Sequence, residues 1–111
     1  MLWLEREVVG NLIGASDPGA RSQIEAFVDG SLRDMPEHLR AGVVGESVLL
    51  GTYVAALRAT GRLPAGDREA FADLLERWEA SRIGVLRQYV RMFTSLVVFA
   101  ENELAPEVAT A

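Results

Sequence analysis

The chain has no cysteine, no lysine and a single histidine, His38, among its 111 residues. Without thiols there can be no disulfide, no thiolate zinc site and no cysteine nucleophile. One histidine leaves histidine-rich metal sites and histidine-pair proton relays without material. A basic excess is missing too: 11 arginines stand against 16 acidic residues, for a net charge of −5. A nucleic-acid binder shows the opposite balance, so nucleic acid is not an expected partner. Long uncharged apolar runs are also lacking. A spanning helix needs roughly 20 predominantly apolar residues, and the two most apolar windows, 41–57 and 83–100, are interrupted by Glu46 and by Arg87 and Arg91. No transmembrane segment is expected, while peripheral membrane contact stays open. The first residues, MLWLEREVVGNLIG, carry Glu5 and Glu7 where a secretory signal would place basic residues and then an unbroken apolar core, so a cytoplasmic location is expected.

Alternating strand patterns, repeats and low-complexity tracts are absent as well. What is present is helical punctuation, which predicts a single all-α domain over residues 1–111, a bundle of about four helices. The first helix runs from about Leu2 to Ile13 and is closed by Gly14 and the turn ASDPG. The second spans about Ala20 to Leu32, with Ile24, Phe27, Val28 and Leu32 at the spacing of a buried face. The third begins at Pro36, a residue suited to the first helical position, with Asp34 or Met35 as cap. It ends near Thr60, before Gly61. After the turn GRLPAG, Asp67 caps the last third of the chain, Asp67 to Glu103, as one long helix or two helices meeting near Ser81 to Gly84, where a bend is inexpensive. Its apolar stripe includes Phe71, Leu74, Leu75, Trp78, Leu86, Tyr89, Val90, Phe93, Leu96, Val97 and Phe99. The tail from about residue 105 is expected to fray.

The third helix is apolar on most sides and broken by Gly42, Gly45 and Gly51. Each interior glycine costs about 1 kcal/mol of helix propensity relative to alanine, so three of them suggest close approach by another helix and a place at the centre of the bundle, packed against the last helix. Glu46 in its middle has two readings: a solvent strip shared with Ser47, or an ion pair with an arginine of the last segment.

Catalytic constellations are not evident. Glu37 and His38 are adjacent and so do not set two metal ligands on one helix face. Neither GNLIGASDPG nor GVVG has the dinucleotide-binding spacing, and neither follows a strand. Serine nucleophiles lack the elbow sequence and a base. The expectation is a non-enzyme with no catalytic, cofactor-binding or metal-binding residues. The unusual feature is the interleaving of Trp78, Arg82, Arg87, Arg91 and Phe93 in a stretch with no acidic residue between Arg82 and Ala100. Arg68 is flanked by Asp67 and Glu69, and Arg77 and Arg82 have acidic neighbours at helical spacing, pairs that are weak. Arg87 and Arg91 are four apart, with no carboxylate three or four residues away from either, and like charges at that spacing disfavour the helix by a few tenths of a kcal/mol. A tertiary or intermolecular acceptor is therefore favoured over plain solvation. Trp78, Arg82, Arg87, Arg91 and Phe93 are the candidate partner-binding residues, since Trp and Arg carry much of the energy at interfaces.

The run Arg68-Glu69, Leu75, Trp78, Ser81-Arg82, Leu86-Arg87, followed by Phe93, Leu96 and Phe99, resembles the helical region that precedes the flavin domain in long-chain fatty alcohol oxidases of the glucose/methanol/choline oxidoreductase superfamily. The upstream part, IEAFVDGSLRDMPEHLRAGV, is more loosely similar to the matching region of bacterial relatives. The Gly-rich flavin fingerprint and the catalytic histidine of that superfamily are not in this sequence. The resemblance therefore implies a non-catalytic accessory subunit that binds a separately encoded FAD-dependent oxidoreductase acting on apolar alcohols. Two rival roles carry no redox link: a helical interaction protein that self-associates through its C-terminal helix, and a carrier of a small apolar ligand lined by Trp78, Tyr89 and Phe93.

Overall fold

Five helices form where the capping residues allow them. In the computed structural model, which describes residues 1–14, 17–64 and 66–110 and the side chains through Glu103, these are α1 (Trp3–Leu12), α2 (Pro18–Arg33), α3 (Glu37–Ala59), α4 (Arg68–Glu79) and α5 (Gly84–Thr110). Asp17 opens α2 by accepting the Ala20 N–H at 2.9 Å, with Pro18 as first helical residue, so this helix starts two residues before the expected Ala20. Asp67 opens α4 in the same way through the Ala70 N–H at 3.0 Å. Pro36, expected as the first helical residue, is instead the N-cap of α3 in place of Asp34 or Met35, and Gly61, at φ +76°, ends the helix in the left-handed conformation that glycine adopts without steric cost. Gly66, at φ +78°, turns the chain toward α4.

The last third is two helices, not one. Ala80 caps α4, the Ser81 hydroxyl accepts the Ile83 N–H at 3.0 Å, and α5 leaves at a 119° bend. The guanidinium of Arg87 donates to the Ser81 carbonyl at 3.3 Å and ties the first turn of α5 back to this corner. The helix count is thus five where about four were expected. The fraying expected from about residue 105 concerns side chains outside the described residues.

α1 and α5 are the inner helices, and each packs against all four of the others. α1 contributes Leu4, Val8 and Val9; α2 contributes Ile24, Val28 and Leu32; α4 contributes Phe71, Leu74, Leu75 and Trp78; and α5 contributes Tyr89, Val90, Phe93, Val97 and Ala100. The buried stripe expected of the last third is found at all but three positions, with Leu86 and Leu96 half-buried and Phe99 55% exposed.

α3 is where expectation and structure part. It was placed at the centre of the bundle and against the last helix; it lies at the periphery, crossed mainly by α1 and only lightly touching α5. Of its three glycines, Gly51 alone meets a close neighbour: a Cβ there would lie 3.2 Å from Trp3 Cζ2, at the α1 crossing. Gly42 and Gly45 are exposed, and a Cβ on either would meet nothing within 4 Å. At two of the three glycines, therefore, close packing within the monomer is not what offsets the poor helix propensity.

Candidate functional site

The five residues singled out in the last third separate into two groups. Trp78, 4% exposed, and Phe93, fully buried, belong to the core, so neither can protrude toward a partner. Trp78 forms part of a groove floor with its ring centroid 6.4 Å from that of Tyr53, and Phe93 stacks at a tilt on Tyr89 at 4.9 Å. Their apolar bulk was legible, but amphipathic periodicity does not distinguish a core aromatic from an interface aromatic. Arg82 and Arg91 are exposed, and neither makes an ion pair among the described residues. Arg87 is half-buried and finds its acceptor in the Ser81 carbonyl, an uncharged group on the α4–α5 corner. Glu46 makes no ion pair with any of them among the described residues. Its neighbour Ser47, expected on a solvent strip, is buried.

Along α5 the exposed positions Val85, Gln88, Arg91, Ser95, Val98, Phe99 and Asn102 follow helical spacing and form one outward stripe. Val98 and Phe99 are 50% and 55% exposed, and Phe99 leans on Phe27 of α2 at a ring distance of 5.7 Å. With Arg82 at its foot, the stripe carries two cations, three large apolar groups and no carboxylate before Glu101.

Sequence reasoning missed a polar cluster under α3. Glu5 is completely buried, and both its oxygens are used. Oε1 accepts the Leu2 N–H at 2.9 Å and Arg40 Nη2 at 2.9 Å; Oε2 accepts Arg40 Nη1 at 2.7 Å and the Ser47 hydroxyl at 2.8 Å. The Ser47 oxygen lies 2.9 Å from the Tyr89 hydroxyl. A serine has one proton, and Ser47 directs it at Glu5, so Tyr89 is the donor in this second bond. The chain Tyr89 to Ser47 to Glu5, with Arg40 closing from the other side, joins α5, α3 and α1. Burial alone would push the Glu5 carboxyl up, but the Arg40, Leu2 and Ser47 hydrogen bonds and the Arg40 charge together hold it below its ordinary value. The Tyr89 hydroxyl is raised, first by burial, and stays protonated.

A second fork–fork pair lies five helical turns along α3. Arg58, 18 residues after Arg40 and hence on the same face, grips Glu7, with Nη1 to Oε1 at 2.9 Å, and sits between the rings of Trp3 and Phe71 at 5.8 and 5.9 Å. Glu5 and Glu7 were read from the sequence only as charges that break an apolar run. A carboxylate inside an apolar helix, with an arginine at matching helical phase elsewhere, was the available signal.

Every Glu5 oxygen is bonded within the protein, and a small pocket of about 250 Å³ beside Trp3 and Gly51 reaches the cluster at Ser47. Among the described residues, no three His, Asp or Glu side chains gather as a ligand set. The larger open space lies outside, in a groove of about 650 Å³ between α3 and the α4–α5 corner, lined by Leu49, Tyr53, Trp78, Ile83, Val85 and Leu86 with Arg77 at its edge. Neither Tyr89 nor Phe93 lines it; both are buried in the core beneath.

These features define a class, a small all-α bundle with an ion-paired interior and bare apolar faces. No family model, curated protein or solved structure matches the chain.

Proposed function

We propose that the protein is a non-catalytic docking subunit, and that its partner is a separately encoded FAD-dependent oxidoreductase of the glucose/methanol/choline type acting on apolar alcohols. The observation that carries the docking role is the outward stripe of α5. Arg82 and Arg91 lack ion-pair partners among the described residues, and Val98 and Phe99 stand half-exposed beside them. Surfaces that combine arginine with exposed aromatic and aliphatic groups are the kind that hot spots are built on. The choice of partner rests on the resemblance carried by Arg68, Trp78, Ser81-Arg82, Leu86-Arg87 and Phe93. In that arrangement the bundle covers part of the flavin domain, and the redox chemistry belongs to the enzyme.

The test is co-expression with an oxidoreductase of that type encoded beside this chain, followed by purification through a tag on the bundle. Replacing Arg82 and Arg91 together by Glu is expected to lower recovery of the enzyme at least tenfold while the circular-dichroism spectrum of the bundle is unchanged. Normal recovery with the double variant would remove α5 as the docking face. Failure of the unaltered bundle to retain the enzyme would remove the partner.

A further inference from the structure

α3 is bare on the side turned away from the bundle. Nine of the sixteen positions from Ala41 to Ala56 are exposed, and none of the nine carries a charge. At 1.5 Å per residue this uncharged face is about 24 Å long. The glycines Gly42 and Gly45 occupy one half of it, and Val48, Leu49 and Tyr53, at 57%, 67% and 51% exposure, begin the other. Among the described residues α3 is also the single helix long and apolar enough, by length and composition, to cross a membrane. Only 28% of its apolar window is buried inside the bundle, so most of that surface is uncovered. Beside it runs the groove whose far wall is Ile83 and Val85, at 62% and 43% exposure.

We infer that this face is covered by the same face of a second copy of the chain, with the two α3 helices antiparallel about a twofold axis near Leu49. A ridge that runs beside a groove is complementary to itself under such an axis, because each copy's α3 then lies along the other's groove. Placing the axis at Leu49, half a residue from the midpoint of the uncharged face, sets the register. In the antiparallel arrangement Gly45 comes opposite Tyr53 and Gly42 opposite Ala56, so the bulk of one half meets the missing side chains of the other. Charge agrees: Glu37, exposed at the start of α3, is brought toward the exposed Arg62 that follows the end of the partner's α3. A parallel pair would set Glu37 against its own copy. Area agrees as well. Leu39, Val48, Leu49, Tyr53, Ile83 and Val85 leave on the order of 600 Å² of apolar surface bare, the upper end for a monomer. The small residues between them bring the face near the ~800 Å² per partner of a standard interface.

This association is independent of the oxidoreductase; its seam is α3, and it shares Val85 at the foot of α5 with the docking stripe. The experiment is sedimentation equilibrium on the whole chain at up to about 100 µM, a range that reaches micromolar dissociation constants. The expected result is a species of twice the 12.1 kDa chain mass. Leu49→Glu is expected to weaken association at least tenfold with an unchanged helical spectrum, since Leu49 is two-thirds exposed. The absence of native cysteine provides a second readout. Leu49→Cys near the axis should oxidise to a disulfide-linked dimer, and Val98→Cys on α5 should not. A chain that remains monomeric throughout the range would overturn the inference. So would a dimer that tolerates Leu49→Glu, or one cross-linked through Val98→Cys, which would move the seam to α5. A monomer that binds anionic phospholipid vesicles through Leu49 would also overturn it and assign the face to a membrane surface.

Discussion

The inner and outer faces of α3 reverse the usual division of a helix. Its inner face, besides Val43, Leu50 and Val54, carries Arg40, Ser47 and Arg58, all engaged with carboxylates of α1. Its outer face carries Val48, Leu49 and Tyr53, and none of its nine exposed positions from Ala41 to Ala56 is charged, with the half-exposed Glu46 at its edge. A helix laid on a core for burial alone would have the opposite polarity. The inner face shows how a weakly amphipathic helix is held: by directional bonds to a buried carboxylate that accept one register and penalise others. The outer face shows what apolar composition is left for when the interior does not use it.

The largest effect is expected from breaking the inner face. Arg40→Met would leave Glu5 buried without its counter-charge, at a cost of roughly 3–5 kcal/mol, read from the urea midpoint of the purified chain. A cost below about 1 kcal/mol would mean that the pair contributes little and that α3 is held by its apolar contacts instead. Next comes pH. Glu5 titrates below its ordinary value in the folded state, so its contribution is complete above the unfolded carboxyl value, taken as 4.5, and is lost as pH falls through the lower folded value. Urea midpoints measured from neutral pH downward should fall across that window in the native chain, and Glu5→Gln should flatten the decline. An equal decline in both would assign the acid sensitivity to other carboxylates.

Tyr89→Phe removes one neutral donor to Ser47 and is expected to cost about 1 kcal/mol, again by urea midpoint. The smallest effects sharpen the comparison from the outside. Gly42→Ala and Gly45→Ala should each stabilise the isolated monomer by up to ~1 kcal/mol, since a methyl there meets nothing and helix propensity improves. Gly51→Ala should come out near zero in melting experiments, because the same gain is offset by the Trp3 ring at 3.2 Å.

Helix boundaries were legible because capping is local. Asp67 and Gly61 act within four residues of themselves and mark a helix start and a helix end as expected, Pro36 marks the start of α3 within one residue, and the capping role of Asp17 was not anticipated. The core side of α2 and α4 was legible from periodicity. Arg87 and Arg91 stood out by the lack of carboxylates at helical spacing, and of the two Arg91 is exposed and without an ion pair among the described residues, whereas Trp78 and Phe93, chosen by residue type, are core. Arg87 shows the limit of helical-neighbour arguments, since its acceptor is a backbone carbonyl six residues back that only the bend brings within reach. Glu5 could not be assigned, because its partners Arg40, Ser47 and Tyr89 follow it by 35, 42 and 84 positions, and spacing within one helix says nothing about such distances.

By itself the sequence determined an all-helical chain, its helix boundaries to within one or two residues, the corner near Ser81 to Gly84 as a candidate breaking point, and which faces of α2, α4 and α5 are apolar, since these depend on dihedral preferences and a 3.6-residue period. Tertiary structure alone decided that α3 stands at the edge, that Glu5 is buried and satisfied, and that apolar surface remains bare on α3. Those outcomes depend on how helices cross, and crossing is set by the summed packing of residues far apart in the chain.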